Sequence, residues 1–159
     1  MTMRKIIVFL YLINMINLPK IFCQESFTMF NAGDSKDTIE KIINMELRQI
    51  SEESFFIDNW PMNNVSFNFY INNRNGLWAV SQTIIVTDHD IAMQLFENIF
   101  DLILDNFGEY NDINDLDKEY KWEGNFINNI WKIRLKKFLA QNYVMITLSI
   151  EFNTSPAYK

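Results

Sequence analysis

The sequence predicts an α+β fold, a two-layer sandwich in which an antiparallel sheet of about five strands carries two helices on one face. Three observations point to it. Two segments place apolar residues at three-and-four spacing, the mark of an amphipathic helix. Several others alternate apolar and polar residues with a period of two, as strands with one buried face do. The links between neighbouring strands are hairpin-short, which favours antiparallel pairing. The element order read from the chain is α-β-β-α-β-β-β, with no internal repeat and no domain boundary after residue 34.

The first segment, residues 1–23, has the composition of a signal peptide. Arg4 and Lys5 form a basic start, the run Ile6–Ile13 is apolar, Pro19 ends it, and Cys23 offers a small residue at the cleavage position. A bilayer-spanning helix needs about 20 apolar residues, more than this run supplies, so no stable membrane span is expected after cleavage. The expected product is exported to a periplasm, a cell surface or the medium. A lipid anchor at Cys23 is the less favoured reading, because the bulky Phe22 precedes the cysteine.

Residues 24–33 read as a linker or strap, and residues 34–153 as the domain. Asp34-Ser35 offers an N-cap for a first helix over about Lys36–Ser51, with Ile39, Ile42, Ile43, Leu47 and Ile50 as its apolar stripe. Glu52–Asn64 reads as irregular and aromatic. Val65, Phe67, Phe69 and Ile71 then alternate with polar residues in the clearest strand of the chain. Asn72–Gly76 supplies turn residues, Asn75-Gly76 suiting the positive φ angles of a hairpin, and Leu77–Val86 returns as its partner. Thr87–Asp90 caps a second helix whose stripe runs from Ala92 through Phe96, Ile99 and Ile103 to Phe107, with Gly108 as its stop. Glu109–Glu119 reads as an acidic loop. Strands follow at about Tyr120–Glu123, Ile130–Phe138 and Tyr143–Phe152, before a frayed tail at 154–159.

Composition bounds the function. The signal segment carries Arg4, Lys5 and Lys20 and no acid, so the formal charge of −6 becomes −9 once it is removed. That balance argues against a nucleic-acid partner and against anionic lipid. Cleavage after Cys23 also removes the one cysteine, leaving no disulfide and no thiol chemistry. The chain is rich in asparagine, which AT-rich codons would produce without any functional demand.

No motif specifies a reaction. Asp88-His89-Asp90 holds the only histidine and reads as a helix cap rather than a metal or catalytic set. Asp112, Asp115, Asp117 and Glu119 offer oxygens to a hard cation, but neither register of the loop fits the EF-hand spacing, so they stand only as weak metal candidates. Lys132, Arg134 and Lys136 alternate with Trp131, Ile133 and Leu135, which places a basic stripe on the open face of the sheet. Phe55, Phe56 and Trp60 precede the first strand, and Trp78, Trp122 and Trp131 lie on later ones, either as core or as an apolar cleft. Asn64-Val65-Ser66 and Asn153-Thr154-Ser155 match the glycosylation sequon, which matters only in a eukaryotic secretory route.

The sequence therefore points to a non-enzymatic binding or interaction module without a cofactor, whose partner is a protein or a small ligand. Trp60, Lys132, Arg134 and Lys136 are its candidate contacts. Two rival readings are a carboxylate-based hydrolase, with or without a cation at the acidic loop, and a carrier of small apolar ligands.

Overall fold

The structure, a computed structural model, describes residues 29–114, 119–126 and 129–154. The expected signal segment, residues 24–28 of the lead-in, Asp115, Asp117 and the tail beyond Thr154 lie outside the described residues. The fold is α+β with an antiparallel sheet and two helices among the described residues. The sheet has eight strands where about five were expected, and the order is α-β-β-β-β-α-β-β-β-β.

Helix α1 is Lys36–Ile43. The Ser35 side chain accepts from the Thr38 N–H and starts it, and Asn44 in the left-handed region stops it. The expected continuation to Ser51 fails for that reason. Past Asn44 the chain opens into the short strand β1 (Arg48–Gln49), and Ile42 and Ile50 of the expected stripe are exposed.

Strand β2 (Ser54–Asp58) occupies the segment expected to be irregular. Phe55 and Ile57 are buried in alternation, a pattern that the apolar Phe56 on the opposite face hides in the sequence. Strands β3 (Val65–Asn72) and β4 (Gly76–Val86) form the anticipated hairpin. Helix α2 (His89–Phe107) begins where the Asp88 carboxylate accepts from the Ile91 N–H and ends at Gly108, and it buries Ala92, Phe96, Ile99 and Ile103. Strand β5 (Asp112–Asn114) lies inside the expected acidic loop, followed by β6 (Glu119–Glu123), β7 (Ile130–Leu139) and β8 (Val144–Phe152).

The sheet order is β1-β2-β3-β4-β8-β7-β6-β5. Each half is thus one helix followed by a four-strand meander, and the two meanders meet at the antiparallel β4–β8 pair. The sequence carries no visible repeat, yet the topology is duplicated about an approximate two-fold through that seam.

One face is apolar from side to side. Phe55, Phe69, Val80, Ile150, Ile133 and Trp122 are register neighbours across six strands, and all are buried. Both helices cover this face. Lys36 of α1 lies over the Phe55 ring, and Phe96 and Phe100 of α2 pack on Tyr120. Phe30, 1 % exposed, meets Phe69 edge-on at 5.0 Å, so the segment entering α1 also packs over the sheet. Burying each such ring is worth about 1.5–3 kcal/mol. No helix among the described residues is long and apolar enough to cross a membrane.

Candidate functional site

The face away from the helices is polar. Its register row runs Arg48, Phe56, Asn68, Ser81, Ser149, Arg134, Lys121 and Asp112 from one edge to the other. At the seam, hydroxyls pair across the strands, Ser81 with Ser149 at 2.9 Å and Thr83 with Thr147 at 3.3 Å.

The basic stripe lies on this face, among acids of the same sheet. Lys132 Nζ is 2.7 Å from Glu123, its direct partner on β6. Arg134 is hydrogen-bonded to Glu151 of β8, and Lys136 faces Glu119 across the β6–β7 ladder. Lys121 bridges Asp112 at 3.3 Å and Glu119 at 3.8 Å. The stripe is a lattice of alternating charge, and two of the expected cation ligands, Asp112 and Glu119, serve it. Among the described residues no group of three or more His, Cys, Asp or Glu is arranged to hold a metal.

Trp60 sits elsewhere. Its ring meets Phe67 edge-on at 5.4 Å, at the margin of the apolar face. The other expected aromatics are dispersed: Phe55 lies under Lys36 of α1, Phe56 under Arg48 on the polar face, and Trp78 meets Tyr70 at 5.4 Å. Trp122 alone among them packs under α2, fully buried, and donates its indole N–H to the Gly108 carbonyl at 2.9 Å.

The strand order gathers a different set of residues. β3 and β8 run toward one end of the sheet, and the β3–β4 turn, the β6–β7 connection and the residues after β8 all emerge there. They enclose a cleft of about 800 Å³ that reaches to Gly33 and Lys36 at the start of α1. A shallower depression of about 640 Å³ shares its Asn75, Asn125 and Trp131 wall. Six of the 17 described residues lining the larger cleft are asparagines, against 20 in the 159 residues of the chain, and none of the 17 is a carboxylate.

Backbone contacts fix the walls. Gly33 donates to the Leu77 carbonyl and Leu77 to the Asp34 carbonyl, both at 2.9 Å, clamping the entry to α1 onto the hairpin. Gly76, at φ +70°, permits this: a Cβ there would lie 2.2 Å from the Gly33 carbonyl oxygen. Across the cleft Gly124 donates to Trp131 and Phe126 to Ile130, and Asn153 donates to the carbonyl of Asn129 at 2.7 Å.

The amides divide into two kinds. Asn72 is structural, donating to Glu53 at 2.7 Å and accepting from the Arg74 N–H at 2.8 Å. Asn73, Asn75, Asn125 and Asn129 are exposed, and their side chains make no hydrogen bond among the described residues. Lys36 on the inner wall is held by Glu40 at 2.7 Å, which raises the lysine pKa and lowers that of Glu40.

Trp131 reaches the cleft through a β-bulge. The β7–β8 register shifts between Ile130 and Lys132, so Ile130 takes the buried place opposite Phe152. Simple alternation puts Trp131 beside Ile133 on the apolar face. The bulge instead leaves it 38 % exposed and lining the cleft. Sequence reading missed this site because its asparagines come from two turns and the residue after β8, all far apart in the chain. The one available signal was their clustering, at 72–75 and again at 125–129. In comparisons with protein-family models, curated proteins and solved structures, nothing matches this chain.

Proposed function

We propose that the protein is an exported binding module that takes a small polar ligand in the cleft at the end of its sheet. The observation that carries this reading is the cleft itself: about 800 Å³, walled by backbone-pinned turns and lined by four side-chain amides, Asn73, Asn75, Asn125 and Asn129, that make no hydrogen bond among the described residues. A pocket of this size accommodates a small molecule, and a few fixed polar groups beside an aromatic ring suffice to orient it. The paired charges of the open face favour this site over the basic stripe, since each cation there already spends its charge on a neighbour or faces an acid.

Thermal-shift screening with amino acids, dicarboxylates, nucleotides and sugars tests the proposal. A compound that saturates the cleft raises the melting temperature, by about 2.7 kcal/mol of stabilisation at a hundred times its Kd. Trp131→Ala abolishes that rise. A rise that survives Trp131→Ala, or none with any compound, contradicts the assignment.

A further inference from the structure

We infer that the cleft binds a neutral saccharide; this rests on the binding-module reading above and names the class of its ligand. A sugar ring presents hydroxyls that each donate and accept, together with apolar patches of C–H on its faces. A primary amide matches the first, carrying two donors and a two-lone-pair acceptor in one plane, so that a single Asn spans two adjacent hydroxyls. An indole matches the second, a flat apolar body with one N–H at its edge. Four unused amides, Asn73, Asn75, Asn125 and Asn129, border one such ring, Trp131.

Charge selects among saccharides. Among the described residues no carboxylate lines the cleft, and Lys36 is neutralised by Glu40, which leaves Arg74 at the exposed tip of the β3–β4 turn as the other charged wall residue. A neutral ligand therefore meets no charge on the inner wall that lacks a partner, and Arg74 at the rim stays in contact with water. The aromatic wall is likewise set before binding. Lys132 Nζ lies 5.3 Å from the Trp131 ring centroid, a cation–π contact that holds the indole in place. Asn129 is held at φ +60°, with its carbonyl engaged by Asn153. Walls fixed in advance lower the ordering cost of binding.

The test is calorimetric titration of the protein with maltotetraose, cellotetraose, chitotetraose and mannotetraose, with tetragalacturonate as the charged counterpart. At least one neutral tetrasaccharide binds and changes the tryptophan emission. Trp131→Ala weakens it roughly tenfold or more. Asn125→Ala and Asn129→Gly, the latter keeping the positive φ, each weaken it by roughly threefold to tenfold. Circular dichroism of the three variants separates lost binding from lost folding, and the two asparagine changes carry the test if Trp131→Ala does not fold. Binding of none of the neutral sugars, binding of tetragalacturonate alone, or binding that all folded variants retain overturns the inference. A non-sugar ligand from the thermal screen that Trp131→Ala abolishes keeps the cleft as the site while overturning the saccharide.

Discussion

Asparagine does at single positions what glycine does in most chains. The four non-glycine residues with positive φ among the described residues are Asn44, Asn59, Asn64 and Asn129, and the whole chain has only four glycines. Asn tolerates the left-handed region better than other side chains, because its short amide can bond locally. Codon bias explains an abundance of asparagine; it does not explain why these turns fall on it. Asn44→Gly should therefore leave stability within a few tenths of a kcal/mol, whereas Asn44→Val should cost about 1–2 kcal/mol, both read from denaturant midpoints. In the same half of α1, Glu40 accepts from Lys36 and from the Leu47 N–H, each at 2.7 Å. These contacts, the lysine first, hold its carboxyl below the ordinary value of 4.5. A depressed acid stabilises the fold above its unfolded pKa and loses that contribution as pH falls through its folded one. Glu40→Gln should thus lower the melting temperature at neutral pH by a few degrees. The difference should close as pH falls below 4.5 and through the lowered folded pKa, and a constant difference across the range would refute the assignment.

Among the elements, legibility followed burial on one side. β3, α2 and β8 were plain in the sequence because each buries one face and wets the other, and β4, buried on both faces over Ala79–Gln82, was legible as the return strand of the β3 hairpin. The strands that escaped reading were β1, β2 and β5. β1 and β5, of two and three residues, are too short to show a period. In β2 the guanidinium of Arg48 covers Phe56 at 4.9 Å, so an apolar residue sits on the polar face and breaks the alternation. Two glycines make a clean contrast between conformational and steric constraint. Gly76→Ala meets the Gly33 backbone at 2.2 Å as well as an unfavourable φ, and should cost about 2–4 kcal/mol. Gly108→Ala, at φ +79° and ψ −164° with nothing within 4 Å, meets the conformational penalty alone and should cost about 1–3 kcal/mol in the same denaturation assay. Between strands, Arg134→Ala strands the Glu151 carboxylate, whose side chain is only 14 % exposed. A double-mutant cycle with Glu151→Gln should recover much of the loss, with a coupling of about 1 kcal/mol or more.

At the scale of the molecule, a duplicated topology ends in two unlike surfaces. The approximate two-fold relates the β3–β4 hairpin to the β7–β8 hairpin at opposite ends of the sheet. The first carries Asn73, Arg74 and Asn75; beside the second lie Phe138 and Leu139, 49 % and 57 % exposed. Equivalent scaffolding with different chemistry at each end is what a functional site added to a repeated framework looks like. Periodicity could not reveal this. It gives the faces of strands, but the cleft depends on strand order and on the bulge that turns Trp131 outward, both set by long-range pairing. The alternation of Lys132, Arg134 and Lys136 was legible in the sequence, but not the acids among which they lie. Those acids come from β6 and β8, and only the register joins them to the stripe. The most direct test of the cleft is nitrogen-resolved NMR during titration with the tetrasaccharides at millimolar concentration. The side-chain signals of Asn73, Asn75, Asn125, Asn129 and the Trp131 indole should shift together, with Arg134 and Lys121 on the open face unmoved. Shifts centred on those two cations, or none at the cleft, would contradict the account.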